Sequence, residues 1–184
     1  MADGSGVGIG TAIRGLLSAA PVYVRFSRDR IVLREAGNRR VVDEEPVVAI
    51  TTEKPFVILA VGRGAAAQAA SQRKPYELVN GFDHPRAVIA DFLVAEKTLQ
   101  YLLRQLLGSS LIKPSPVMVI HPLDSYAGGL SQIEVRALQE LGAGAGAREV
   151  HVWGGEELTD QALQSGMFRT AAGRLTSESR FQGR

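Results

Sequence analysis

Few side chains in this sequence stand at spacings that do chemistry, and those that do fall in separate stretches. Its three histidines are His84, His121 and His151; none pairs with another one helical turn away and no Glu-x-x-His accompanies them, so a metal site would need groups gathered from distant segments. His121 closes an apolar run, the placement of an active-site group, but it reads first as a hydrogen-bonded polar residue at a strand end. Gly6-x-Gly8-x-Gly10 has the spacing of a phosphate loop, yet no strand precedes it, and no glycine is followed by Lys-Ser or Lys-Thr. It reads as a floppy terminus. No serine occupies a Gly-x-Ser-x-Gly elbow, and Asp124-Ser125 has no partner base in view. Arg25, Arg28, Arg30, Arg34, Arg39 and Arg40 crowd one stretch; they read as solvated faces, with an anion or acidic partner as the sharper alternative. Glu134 opens a helical pattern after a loop and a buried strand, where ligands of α/β folds collect, although the helix dipole alone accounts for an acid there. Trp153 ends the last strand and reads as packing.

The elements that must hold these groups follow from periodicity. Ile13, Leu16 and Leu17 share one helical face in a short segment before Pro21. From Pro21 the period becomes two, giving runs at Val22 to Phe26, Ile31 to Glu35 and Val41 to Ile50, with turns at Arg28-Asp29 and Gly37-Asn38: an antiparallel meander. Phe56 to Val61 is a fourth run, Gly64 to Ser71 is alanine-rich and helix-prone, and Gln72 to Arg86 reads as mostly irregular. Asp91 to Leu107 carries Phe92, Leu99, Leu102, Leu103 and Leu106 at helical spacing, with Asp91 as N-cap and Gly108 as stop. Val117 to Ile120 predicts a strand buried on both faces, Ser131 to Leu141 a helix, Gly142 to Ala147 a turn, Glu149 to Trp153 a strand, and Glu156 to Ser165 a helix-prone segment. Strand, loop, helix, strand is a βαβ unit with parallel pairing, so the fold class is α/β with a mixed sheet. Residues 1–20 form a flexible N-terminus bearing the short amphipathic helix, 21–166 one domain, and 167–184 a polar, disordered tail.

Bulk numbers bound the function. The chain has 184 residues, a formal charge of +2, 45% hydrophobic and 22% charged residues, and no cysteine. That composition suits one ordinary domain, excludes thiolate chemistry and disulfides, and supplies no broad field for gripping nucleic acid. No basic n-region with an apolar core opens the chain, and the longest apolar run is too short to span a bilayer, so a cytoplasmic protein is expected.

Four stretches carry a family resemblance: Val41-Val-Asp-Glu-Glu-Pro-Val-Val-Ala-Ile50, Val88-Ile-Ala-Asp-Phe-Leu-Val-Ala-Glu-Lys97, Lys113-Pro-Ser-Pro116 and Gly142-Ala-Gly-Ala-Gly-Ala-Arg-Glu-Val150. In order and spacing they resemble MreB, the bacterial actin-like rod shape-determining family. The resemblance covers about residues 12 to 165. It implies the first part of an actin-like fold, namely the opening of a ribonuclease H-like subdomain with a small subdomain inserted at about 39–81. It also implies a role in cell shape, ATP and magnesium as cofactors, and an N-terminal membrane contact through Ile13, Leu16 and Leu17. Three apolar residues are few for anchoring, so that contact is expected to be weak and peripheral, at the inner face of the membrane.

The family's nucleotide residues carry over badly. Its first phosphate loop reads Asp-x-Gly-Thr between the first two strands, and the matching positions here are Arg25-Phe26-Ser27-Arg28. A guanidinium cannot ligate magnesium, and losing glycine restricts backbone approach to a phosphate. Glu134 matches the family's water-activating glutamate and Gln132 keeps its place beside it, but Gly154-Gly155-Glu156 replaces the expected Glu-Glu-Pro, and the second phosphate loop and second lobe have no counterpart. The expectation is an interaction or regulatory module without ATP hydrolysis, metal or other cofactor. Its partners would be a full-length MreB filament or other morphogenesis proteins, and not nucleic acid. Two alternatives stand beside it: a residual nucleotide or anion binder using Arg25, Arg28 and Glu134, with a dimer supplying the other lobe, and a marginally folded fragment.

Overall fold

A computed structural model describes residues 20–108, 114–124 and 129–169. The helix expected around Ile13, Leu16 and Leu17 lies outside the described residues, as do Ser125 and the tail beyond Arg169. β1 (Val22–Phe26) and β2 (Ile31–Glu35) form where the alternation places them, joined by a turn in which the Ser27 N–H donates to the Arg30 carbonyl at 2.8 Å. Alternation sorts their side chains: Val22, Val24 and Phe26 enter the main core, and Tyr23 enters a second cluster on the opposite face, the face Arg25 shares.

β3 (Val41–Glu44) pairs antiparallel with β2, while β7 (Val117–Pro122) and β8 (Glu149–Val152) extend the sheet in parallel on the other side of β1. The strand order is β3-β2-β1-β7-β8. A second sheet, ordered β5-β4-β6, holds β4 (Val47–Thr51), β5 (Ile58–Val61) and β6 (Tyr76–Asn80), all antiparallel. Helix α1 (Ala65–Ser71) lays Ala65 and Ala69 on Ala49 and Ala60 of that sheet, a small core that only short side chains allow. Helix α2 (Phe92–Leu107) buries Ala95, Leu99, Leu102, Leu103 and Leu106, and is capped by Asp91, whose side chain accepts from the Val94 N–H at 3.0 Å. Helix α3 (Gln132–Gly144) crosses between β7 and β8 and completes the βαβ unit. Helix α4 (Asp160–Ser165), capped by Thr159, covers the opposite face with Leu158, Ala162, Leu163 and Phe168.

Several local expectations change. The run Val41 to Ile50 is two strands in two sheets, because Pro46 lacks the N–H that a continuing ladder needs. The small sheet runs from Val47 to Asn80. Gln72 to Arg86 is not mostly irregular: Tyr76–Asn80 pairs with β4 from Val47↔Asn80 to Thr51↔Tyr76, a partnership no local pattern announces. Helix α3 continues through Gly142 to Gly144 where a turn was expected. There the missing side chain matters, since a Cβ at Gly142 would stand 2.8 Å from a Val150 methyl and 3.0 Å from Ile120. Phe92 is 40% exposed, so it does not belong to the buried stripe of its helix. Phe168 is 1% exposed and seated in the second cluster, so ordered packing continues past residue 166 into the expected tail.

Candidate functional site

The turn between β1 and β2 lies at the C-terminal end of the parallel pair β1 and β7, where loops of an α/β sheet gather ligands. It is held from two sides. Asn80, at the end of β6, donates its side-chain amide to the Arg28 carbonyl at 2.7 Å and accepts the Phe82 N–H at 2.9 Å. Across the turn the Leu123 N–H donates to the Phe26 carbonyl at 2.8 Å, and the Arg28 N–H donates to the Asp124 carboxylate at 3.2 Å. A backbone amide of the kind that would meet a phosphate thus faces a carboxylate of the chain itself.

Arg25 is directed elsewhere. Its guanidinium pairs with Glu157 on the opposite face of the sheet, and its side chain is 23% exposed. Beside it, Arg34 pairs with Asp160, donates to the Leu158 carbonyl at 2.5 Å and stacks over Tyr23 with its Cζ 5.0 Å from the ring centre. Tyr23 completes the group: its hydroxyl accepts the Leu158 N–H at 3.2 Å and lies 2.5 Å from His121 Nδ1. The imidazole also bonds the Gly155 backbone, which calls for a ring N–H on the side away from Tyr23; with that proton on Nε2, Nδ1 accepts the Tyr23 hydroxyl. Burial, with Arg25 adding to it, holds His121 below its ordinary range, and burial pushes the Tyr23 phenol up, so both stay neutral and keep these roles. Tyr23 and Arg25 from β1 and Arg34 from β2 therefore bind the segment Glu157 to Asp160 on this face of the sheet, with His121 from β7 bonded behind Tyr23.

Glu134 has a local task. Its carboxylate accepts the Ser131 N–H and the Ser131 hydroxyl, each at 2.8 Å, while the Glu134 N–H donates to Ser131 Oγ at 3.2 Å. This is a capping box, so the helix-terminus reading of Glu134 has a full structural account. Gln132 starts the same helix next to it. The arginine-rich stretch is not one field, because Arg25, Arg30 and Arg34 each meet a carboxylate; Arg30 grips Asp43 with two bonds of 2.8 and 2.6 Å, which holds that carboxyl below the usual range. Ser27 engages the Arg30 carbonyl through its backbone, as above.

The histidines stay apart. His84 Nδ1 accepts the N–H groups of Arg86 and Ala87 in a turn, at 3.1 and 2.8 Å, and His151 meets Glu149 at 2.8 Å and the edge of Phe168. Among the described residues no group of three or more His, Asp or Glu could hold a metal ion. Trp153 donates its indole N–H to the Glu156 carbonyl at 2.8 Å, which makes it part of the same back-face segment. Sequence reasoning missed Tyr23, Glu157, Asp160 and Asn80. Alternation along β1 would have put Tyr23 beside Arg25, but the partners of Tyr23 lie 98 and 135 residues away and that of Arg25 is as remote.

An antiparallel meander, a parallel βαβ extension in the order β3-β2-β1-β7-β8, and a small sheet inserted between β3 and α2 define an actin-like architecture, in its opening part. Comparison with solved structures agrees. MreB5 of Spiroplasma citri bound to ADP superimposes with a TM-score of 0.55 at 17% identity, over 73% of this chain and 37% of that one. A non-polymerising A278D mutant of MamK bound to AMPPNP superimposes with a TM-score of 0.55 at 13% identity, over 74% of this chain and 41% of that one. In sequence, the cell shape-determining protein MreB of Pasteurella multocida is 37% identical over 144 residues, which is 76% of this chain and 39% of the relative. The family model described as MreB/Mbl protein matches residues 28–170. The chain belongs to the MreB/Mbl family, and it spans about two fifths of the length of that curated relative.

Proposed function

We propose that the chain serves rod-shape determination as an actin-like interaction or regulatory module that does not hydrolyse ATP. Residues 21–166 supply the first-lobe domain, with the small sheet as its inserted subdomain. The observation that carries this reading is Arg25: it stands where the family's phosphate loop has its aspartate, and its charge is committed to Glu157 on the back face. The other residues of the loop support it. The Arg28 amide is held by Asp124, and Glu134 by Ser131, so a magnesium nucleotide would find no oxygen ligand at position 25 and a carboxylate where its phosphate should approach.

In this reading the partners are a full-length MreB filament or another morphogenesis protein, recognised through the outer surfaces of the fold. The location is the cytoplasm, at times against the inner face of the membrane through Ile13, Leu16 and Leu17. No described helix is long and apolar enough to cross a bilayer. Co-sedimentation with polymerised MreB tests the proposal. The chain is expected in the pellet in proportion to filament, with the same yield for Glu134→Gln; a chain that stays in the supernatant at micromolar concentration excludes the filament as partner.

A further inference from the structure

We propose that the groove between the small sheet and the start of α2 docks a short apolar peptide segment that ends in carboxylates, contributed by a partner protein. The inference rests on the reading of the chain as a binding module and names the chemistry of one partner element. The groove encloses about 340 Å³ and is lined by Val48 and Ile50 of β4, Phe56, Val57, Leu93 and Lys97, among others. Its rim is unusually apolar for a surface: Phe56 is 60% exposed, Leu93 64% and Val57 44%. Val57 also lines a neighbouring cleft of about 260 Å³ that holds Lys54, Lys74 and Glu53, so the apolar floor leads directly into a basic end.

The charges select the occupant. Lys97 is engaged within its own helix, 3.7 Å from the Glu96 carboxylate and donating to Gln100 at 3.0 Å. Lys54 and Lys74 have no ion-pair or hydrogen-bond partner among the described residues. Glu53 is the one carboxylate lining either cavity; Glu77, opposite Ile50 on β6, lines neither. Two unpaired ammonium groups at the end of an apolar trough complement a peptide with two or so large apolar side chains followed by acidic residues. The apolar groups line a concavity between two elements, which a peptide can enter and a flat lipid surface cannot follow.

The test uses fluorescence anisotropy on the full chain with two labelled synthetic peptides, both alternating Leu and Thr, one ending in a run of Glu and the other in a run of Lys. The Glu-ended peptide is expected to bind, and Leu93→Ser or Phe56→Ser to weaken it by about tenfold or more. The double charge reversal Lys54→Glu with Lys74→Glu is expected to lose the Glu-ended peptide and gain the Lys-ended one. All four side chains are surface groups, and an unchanged thermal melt checks that the variants fold. Equal binding of the two peptides, no binding of the Glu-ended one, or the same variants losing only adsorption to anionic phospholipid vesicles would each overturn the proposal. Retained co-sedimentation with MreB alongside failed peptide binding would overturn the groove alone and leave the broader reading intact.

Discussion

Tyr23 joins more of this molecule than any residue of the expected nucleotide site. Its hydroxyl serves Leu158 and His121 at once, so Tyr23→Phe leaves a buried amide and a buried imidazole nitrogen without partners. A loss of about 1–3 kcal/mol is expected, read by denaturant unfolding. His121 adds a pH dependence. Its folded-state pKa lies below its ordinary value near 6.5, mainly through burial and further through Arg25, so the unfolded chain takes up the proton first as pH falls. The stability this neutral imidazole contributes is complete above that value and is lost as pH falls towards the folded-state pKa. Trp153, the sole tryptophan, reports on the strapped segment: the denaturant midpoint read from its emission should fall over that acidic window in the native chain and less so in His121→Gln. A pH-independent unfolding free energy between neutral and mildly acidic buffer would refute the assignment. The residue-level features that the sequence conveyed were of two kinds: types that differ from the family's, such as Arg25, and positions with a local cause, such as Glu134 in the first turn of its helix; the capping box itself came from the structure.

Elements were legible where their cause was local. The alternation of Val22 to Phe26 and Ile31 to Glu35, and the cap and stop of Asp91 to Gly108, each sit within one stretch of chain and came out as read, as did the stripe apart from Phe92. What local pattern does not carry is partnership: β6 exists because β4 offers it a ladder, and α3 passes through Gly142 because β8 lies too close for a side chain. Two substitutions test this scale. A Cβ at Gly81 would lie 2.4 Å from the Ala95 nitrogen and 2.9 Å from the Asp91 carbonyl, so Gly81→Ala must push the start of α2 away from the small sheet. It is expected to cost roughly 1–3 kcal/mol, visible as a lower Tm. Glu134→Gln should keep the capping box and the melting temperature, whereas Glu134→Ala should lose about 1 kcal/mol. Equal losses in both variants would mean that the charge, and not the cap, sets the role of Glu134.

At the scale of the whole molecule, the sheet has the actin-like order, and on the reading proposed above the groups at the turn after β1 serve structure instead of phosphate. Arg25 holds the back-face segment, Asp124 holds the Arg28 amide, and Asn80 ties the turn to the small sheet. Glu157 is 55% exposed, so a double-mutant cycle on Arg25 and Glu157 should return a coupling of only about 0.2–1 kcal/mol, with the swapped pair recovering what each single reversal loses. The most direct measurement is calorimetric titration of the full chain with magnesium ATP. A flat trace, corresponding to a Kd weaker than about 1 mM, is the expected outcome. A saturable heat with micromolar Kd that Arg28→Ala abolishes would show that the turn still holds phosphate, and that the reassignment of its residues is wrong.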